Sequence, residues 1–268
     1  MEITTNTKNK KVQEFTYQSF IDYARSRKKS KKATRNGYNS SSATSKYRTE
    51  FTGTKSIKEA FELAEKGWDS GIEQLDLEDG LLVGGNGMEV SENVYGSMVN
   101  IGNYIQGLPN NMYEFTEKRE YNLEPLTIYT ALTYSAGVEL EDAMRFAKSI
   151  INLVNTYQSK NNIRIVGIFY CEINKIDFMQ KITIKDFNER FVINNVAFAF
   201  HPSFFRRLFF SVMEGEEFAD SGYGRPHQQN KYLQEIKKFE NDKAILTPTL
   251  NDLSNGEFTE SQTTKVNY

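Results

Sequence analysis

The stretch from Pro125 to Glu172 constrains this chain more than any other. Leu126–Leu132 is an apolar run rich in residues that favour strands. From Glu139 to Tyr157, Leu140, Ala143, Met144, Ala147, Ile150, Ile151 and Val154 then recur at three- and four-residue spacing, the period of one helix face. A second apolar run, Ile163–Glu172, follows. Strand, helix and strand in this compass form a βαβ unit, whose two strands are expected to be parallel neighbours. The predicted fold class is therefore α/β, a mostly parallel sheet flanked by helices.

Further strands are expected at Asp177–Lys185 and Asn194–Phe200. A helix over Pro202–Met213 carries the aromatic stripe Phe204, Phe205, Leu208, Phe209 and Val212. Upstream, Phe15, Phe20, Ile21 and Ala24 share a face near Thr16–Arg25. Ile57, Ala60, Phe61, Ala64 and Trp68 do so over Ser56–Trp68. Residues 96–115 read as a turn-rich segment anchored to the core by Ile101, Tyr104, Ile105, Met112 and Phe115. Residues 215–230 have the composition of a surface loop, and Lys231–Phe239 that of a short amphipathic helix.

Charge divides the chain unevenly. Residues 1–50 hold 12 Lys/Arg against 4 Asp/Glu, and the remainder 21 against 31. This is the pattern of a basic arm on an acidic body. The expected organisation is a partly flexible arm over 1–50, one α/β domain over 51–245 with its core unit at 125–226, and a polar tail over 246–268. Arg25, Arg27, Lys28, Lys29, Lys31, Lys32 and Arg35, beside Tyr23 and Tyr38, are the candidates for contacting nucleic acid, since such cations neutralise phosphates while tyrosines stack on bases. His201, Arg206 and Arg207, at a strand-to-helix turn, are the candidates for holding an anion.

Several chemistries find no support. The single cysteine, Cys171, lies in an apolar run and reads as a buried hydrophobe. With His201 and His227 as the two histidines, no ordinary His/Cys zinc site can be assembled. GLLVGGNG at 80–87 lacks the Lys-Ser/Thr of a phosphate-binding loop. No nucleophile elbow is present. The acidic clusters Asp76, Glu78, Asp79 and Glu214, Glu216, Glu217, Asp220 leave a metal-dependent enzyme as the third-ranked reading, with a carboxylate acid-base site among its forms. No leader or membrane span is expected, and no cofactor.

The turn after the first strand of the βαβ unit reads Ala131-x-Thr133-x-Ser135. It resembles the Asp-x-Ser-x-Ser motif of von Willebrand factor A domains, where the aspartate and two hydroxyls hold a divalent cation. Ala131 replaces the aspartate, so the resemblance implies a loop that touches a partner without a metal. Asp220, in DSGYGRP, is similar to the late Asp-Gly turn of such domains and joins Thr133 and Ser135 in the expected interaction loop. The segments at 102–115, 133–154 and 201–214 resemble a family of tailed-bacteriophage proteins without an assigned activity. That resemblance implies work in the host bacterial cytoplasm, or association with the virion. The leading expectation is a non-enzymatic module with a protein partner, ahead of nucleic-acid binding through the basic arm.

Overall fold

The computed structural model describes residues 3–7, 10–35, 40–42, 44, 46–68, 70–71, 75, 88–117, 123–187, 189–216, 234, 236–237 and 242–267. Its centre is the expected βαβ unit. Strands β1 (Ile3–Thr7), β2 (Lys10–Thr16), β3 (Met88–Asn93), β4 (Met98–Val99), β5 (Met112–Glu117) and β6 (Glu124–Ala131) are followed by β7 (Asn161–Ile173), β8 (Ile176–Lys185), β9 (Ala244–Leu246) and β10 (Thr264–Val266). A seven-stranded sheet has the order β1-β2-β8-β7-β6-β9-β10, and β3-β5-β4 form a separate small sheet.

In the large sheet β6 is parallel to β7, with Ile128 opposite Ile165, and parallel to β9, with Ile128 opposite Ile245. The parallel centre is thus as the sequence predicts. Antiparallel pairs extend it and make the sheet mixed: β7 with β8, β1 with β2, and β9 with β10. The β7–β8 hairpin turns through Asn174 and Lys175, both left-handed at φ 53° and 64°, the backbone that a two-residue hairpin loop demands.

The helices are α1 (Tyr17–Ser26), α2 (Lys31–Arg35), α3 (Lys46–Thr52), α4 (Ile57–Lys66), α5 (Ile101–Ile105), α6 (Leu140–Tyr157) and α7 (Ile193–Phe200). A π-helical stretch, Phe204–Phe209, then runs into α8 (Phe210–Glu214). Residues alternate across the sheet as a strand requires. Leu126 and Ile128 enter the larger core with α1, α4, α6, α7 and the π-helix, whereas Tyr129 and Ala131 enter a smaller cluster on Val12, Met179, Leu246 and Ile236. Phe169 on β7 is the hub of the larger core. Its ring lies 4.4 Å from Phe209, 5.7 Å from Phe205 and Phe20, and 5.8 Å from Phe204.

Four expectations are corrected. Asn194–Phe200 is helical, not a strand, and its buried part, Val196–Phe200, is apolar on every side and carries no period to separate the two. The N-terminal segment supplies two strands to the sheet; β2 lies parallel to β8, with Phe15 opposite Ile182. The polar C-terminal stretch is not a loose tail. It contributes β10, and Gly256 at φ 80° packs so tightly that a Cβ there would overlap the Asp142 carbonyl of α6. Finally, Ile101, Tyr104 and Ile105 do not anchor residues 96–115 to the core; they are exposed. The Gly-rich 80–87 stretch, the 217–230 part of the expected loop and most of Lys231–Phe239 lie outside the described residues.

Phe169→Ala is expected to cost about 3–5 kcal/mol, since four rings lose their common partner. Urea denaturation measures it, and a loss below about 1 kcal/mol would contradict the hub.

Candidate interaction surface

The loop after β6 is tied on both sides. Thr133 is 5% exposed, so little of it is open at the surface. Tyr134 is buried, donates its hydroxyl to the Phe200 carbonyl at 3.3 Å, and burial raises its pKa. The backbone N–H of Ser135 donates to Asn251 Oδ1 at 2.7 Å, from the short helix Leu250–Asp252 that follows β9. Its carbonyl accepts from Arg206 Nη2 at 2.9 Å, and that of Ala136 from the same atom at 3.5 Å.

Arg206 also donates to the Phe51 carbonyl at 2.7 Å, and its guanidinium lies 4.4 Å and 5.0 Å from the rings of Phe51 and Tyr134. A fixed cation against the loop carbonyls is unfavourable to a divalent ion there. Among the described residues, no three His, Cys, Asp or Glu side chains cluster to hold a metal. Asp220, the third residue of the expected loop, and His227 lie outside the described residues.

The expected anion site is turned inward as well. Arg207 is fully buried and donates to the carbonyls of Ser41 at 2.9 Å and Thr54 at 2.6 Å. His201 is buried between Trp68, 4.4 Å away edge-on, and Phe198. Its Nδ1 accepts from the Ser203 N–H at 3.1 Å, so the ring is held neutral, with its pKa pushed down to about 3 by burial. Gly53 at φ 77° passes against it, where a Cβ would stand 2.7 Å from the imidazole. These three side chains therefore fix loops to the π-helix and do not converge on a ligand.

Three cations of the basic segment, Arg25, Arg27 and Lys29, are spent on the chain's own acids. Arg25 pairs with Glu65 at 2.6 Å and lies over Phe61. Arg27 and Lys11 both reach Glu216, at 3.3 Å and 2.9 Å. Glu214 is buried, accepts the N–H and hydroxyl of Ser41, and has Lys29 Nζ 3.7 Å away. Lys28 and Lys31 remain exposed, and Lys32 is half-buried; the side chain of Arg35 is not described. The sequence offers no sign of pairs separated by more than 180 residues, such as Arg27 with Glu216. A cleft of about 400 Å³ between α6 and the C-terminal segment is lined by Arg145, Lys148, Asn152, Glu257 and others. Its Arg145 is already bound to Asp142 and the Asn255 carbonyl.

The surface that sequence reasoning missed is the small sheet with α5. Val94, Tyr95, Met98, Val99, Ile101, Tyr104, Ile105 and Leu108 are 44–78% exposed, and together with Val192 they are the large exposed hydrophobics of the described residues. Ile101, Tyr104, Ile105 and Leu108 follow the spacing of one helical stripe, the pattern that elsewhere in the chain faces the core. Among the described residues, polar groups brace this unit. Asn100 is buried and caps α5 by accepting the Asn103 N–H at 3.2 Å. Glu92 accepts from the side-chain amides of Asn100 at 2.9 Å and Asn103 at 3.0 Å, and Glu114 from Asn93 at 2.8 Å. The stripe was visible in the sequence, but a period does not say which way a face points.

One family model, described as a domain of unknown function, matches residues 5–265. The chain belongs to the DUF7192 family. No curated protein and no solved structure matches it. The DUF7192 match includes β2, part of β1 and nearly all of the C-terminal stretch, in line with their place in the large sheet. Among the described residues, no helix is long and apolar enough to cross a membrane.

The neutrality of His201 sets a pH dependence. Between its usual 6.5 and about 3 the unfolded chain takes up a proton that the folded one refuses. This contribution is therefore intact above that window and drains as pH falls through it. His201→Asn keeps an acceptor for the Ser203 N–H. From pH 6.5 to 4.5 the parent is expected to lose about 2 kcal/mol more than this variant in urea titrations. Equal losses would contradict a buried neutral imidazole.

Proposed function

We propose that this chain is a non-enzymatic protein-binding module, and that its contact surface is the apolar stripe of α5 and the adjoining small sheet. One observation carries the reading: eight large hydrophobic side chains stand in solvent on a unit braced, among the described residues, by the hydrogen bonds of Glu92 to Asn100 and Asn103. Leaving such a surface in water is unfavourable unless something covers it in use. At roughly 150–200 Å² per large side chain, 44–78% of it exposed, the eight offer on the order of 800 Å², about what one partner brings to a standard interface.

The contact thus moves from the loop at Thr133 and Ser135, whose backbone is bound to Arg206 and Asn251, to residues 94–108. The finer likeness to von Willebrand factor A domains stays within this proposal, supported by the parallel β6–α6–β7 unit with that loop at its strand end. Work inside a phage-infected bacterium, or on the virion, is likewise proposed, on the segments at 102–115, 133–154 and 201–214. Nucleic-acid binding draws little support, because Arg25, Arg27 and Lys29 face internal carboxylates.

A photo-activatable benzoylphenylalanine at position 105 is expected to give one discrete protein adduct in the native cell. Replacing Lys58, exposed on α4, should give none. The proposal fails if position 105 yields no adduct, only links within the chain itself, or the same adducts as position 58.

A further inference from the structure

We infer that the partner, on the reading that the stripe is a protein-binding surface, presents apolar side chains within a ring of lysines or arginines. Residues 88–117 contain Glu89, Glu92, Glu114 and Glu117, and no Lys, Arg or His. Glu92 stands exposed and reaches back to Asn100, the cap of α5, and to Asn103 within it, so its carboxylate lies beside the foot of the stripe. The partners of Glu92 and Glu114 are neutral amides, and among the described residues no cation pairs with either.

A purely apolar partner closing over Ile101 and Tyr104 would strip water from these carboxylates and leave their charge uncompensated, which opposes binding. A cationic rim removes that cost and steers the encounter. The same charges repel nucleic acid and anionic lipid headgroups. They also disfavour a second copy of this chain. A two-fold contact sets acid against acid. A head-to-tail contact needs a second apolar surface, and outside the stripe the described residues offer only Val192 as a large exposed hydrophobic.

Two labelled synthetic helices with identical leucine stripes test this, one with lysines at every polar position and one with glutamates. Fluorescence anisotropy with the full chain is read at low and high salt. The lysine helix is expected to bind at least about tenfold more tightly than the glutamate helix, and to weaken with salt. Ile101→Ser with Ile105→Ser should weaken it by about tenfold or more, with the circular dichroism spectrum retained. Glu114→Gln keeps an acceptor for Asn93 and Glu92→Gln keeps one of the two oxygens that serve Asn100 and Asn103; together they should remove most of the salt dependence while leaving weaker apolar binding.

Equal affinity for both helices would overturn the inference, as would lysine-helix binding indifferent to the isoleucine pair. So would a dimer in sedimentation that Ile105→Ser dissolves, or binding to phosphatidylglycerol vesicles through the same stripe. If the adduct at position 105 forms while the helices bind equally, the interface stands and the basic rim falls. If neither adduct nor helix binding is seen, both fall.

Discussion

The aromatic contact between Phe169 of β7 and the π-helical stretch Phe204–Phe209 is the joint from which the rest of the structure hangs. Rings from α1, the sheet and the π-helix meet there within 4.4–5.8 Å. Because Phe204, Phe205 and Phe209 point into the sheet, Arg206 and Arg207 on the same stretch leave it in other directions. They gather the carbonyls of Phe51, Ser135, Ser41 and Thr54. One helix thus supplies both the largest apolar contact and the donors that fix the loops around it. The buried carboxylate of Glu214, at the end of α8, holds Ser41 from the other side.

This arrangement explains why the residues that looked most chemical serve the fold. A guanidinium bound to carbonyls meets its cost of desolvation only while those bonds last, and is not free to hold a substrate. His201 is confined between Trp68, Phe198 and the turn at Gly53. Lys11, Arg27 and Lys29 meet Glu214 and Glu216, acids from far along the chain. What remains outward-facing and unexplained by folding is the reverse of a normal surface: isoleucine, tyrosine and methionine in water, with asparagine buried beneath them.

Much of the body was legible in the sequence, for identifiable reasons. Strands β6 and β7 and helix α6 carry long, clean periods. The stripe of Phe204–Val212 has no other use than packing. Where the reading failed, the signal was absent or two-valued. Lys10–Thr16 carries only Val12 and Phe15 as buried hydrophobics and gives little to recognise as an interior strand. The stretch Ile193–Phe200 is apolar enough to be either element. Pairs such as Lys11 with Glu216 depend on tertiary structure alone. The stripe at 101–108 has the spacing of a core face, and only its position on a small sheet away from Phe169 turns it to solvent.

In the free protein the large hydrophobic side chains of residues 94–108 are wet, while those elsewhere among the described residues, Val192 apart, are covered. Hydroxyl-radical footprinting of the isolated chain tests this directly. Met98 and Tyr104 should be oxidised at rates near those of the urea-unfolded chain, and Met213 and Tyr134 should be strongly protected. Protection of Met98 and Tyr104 to the level of Met213 would mean that the stripe is core, and the interaction surface would not exist.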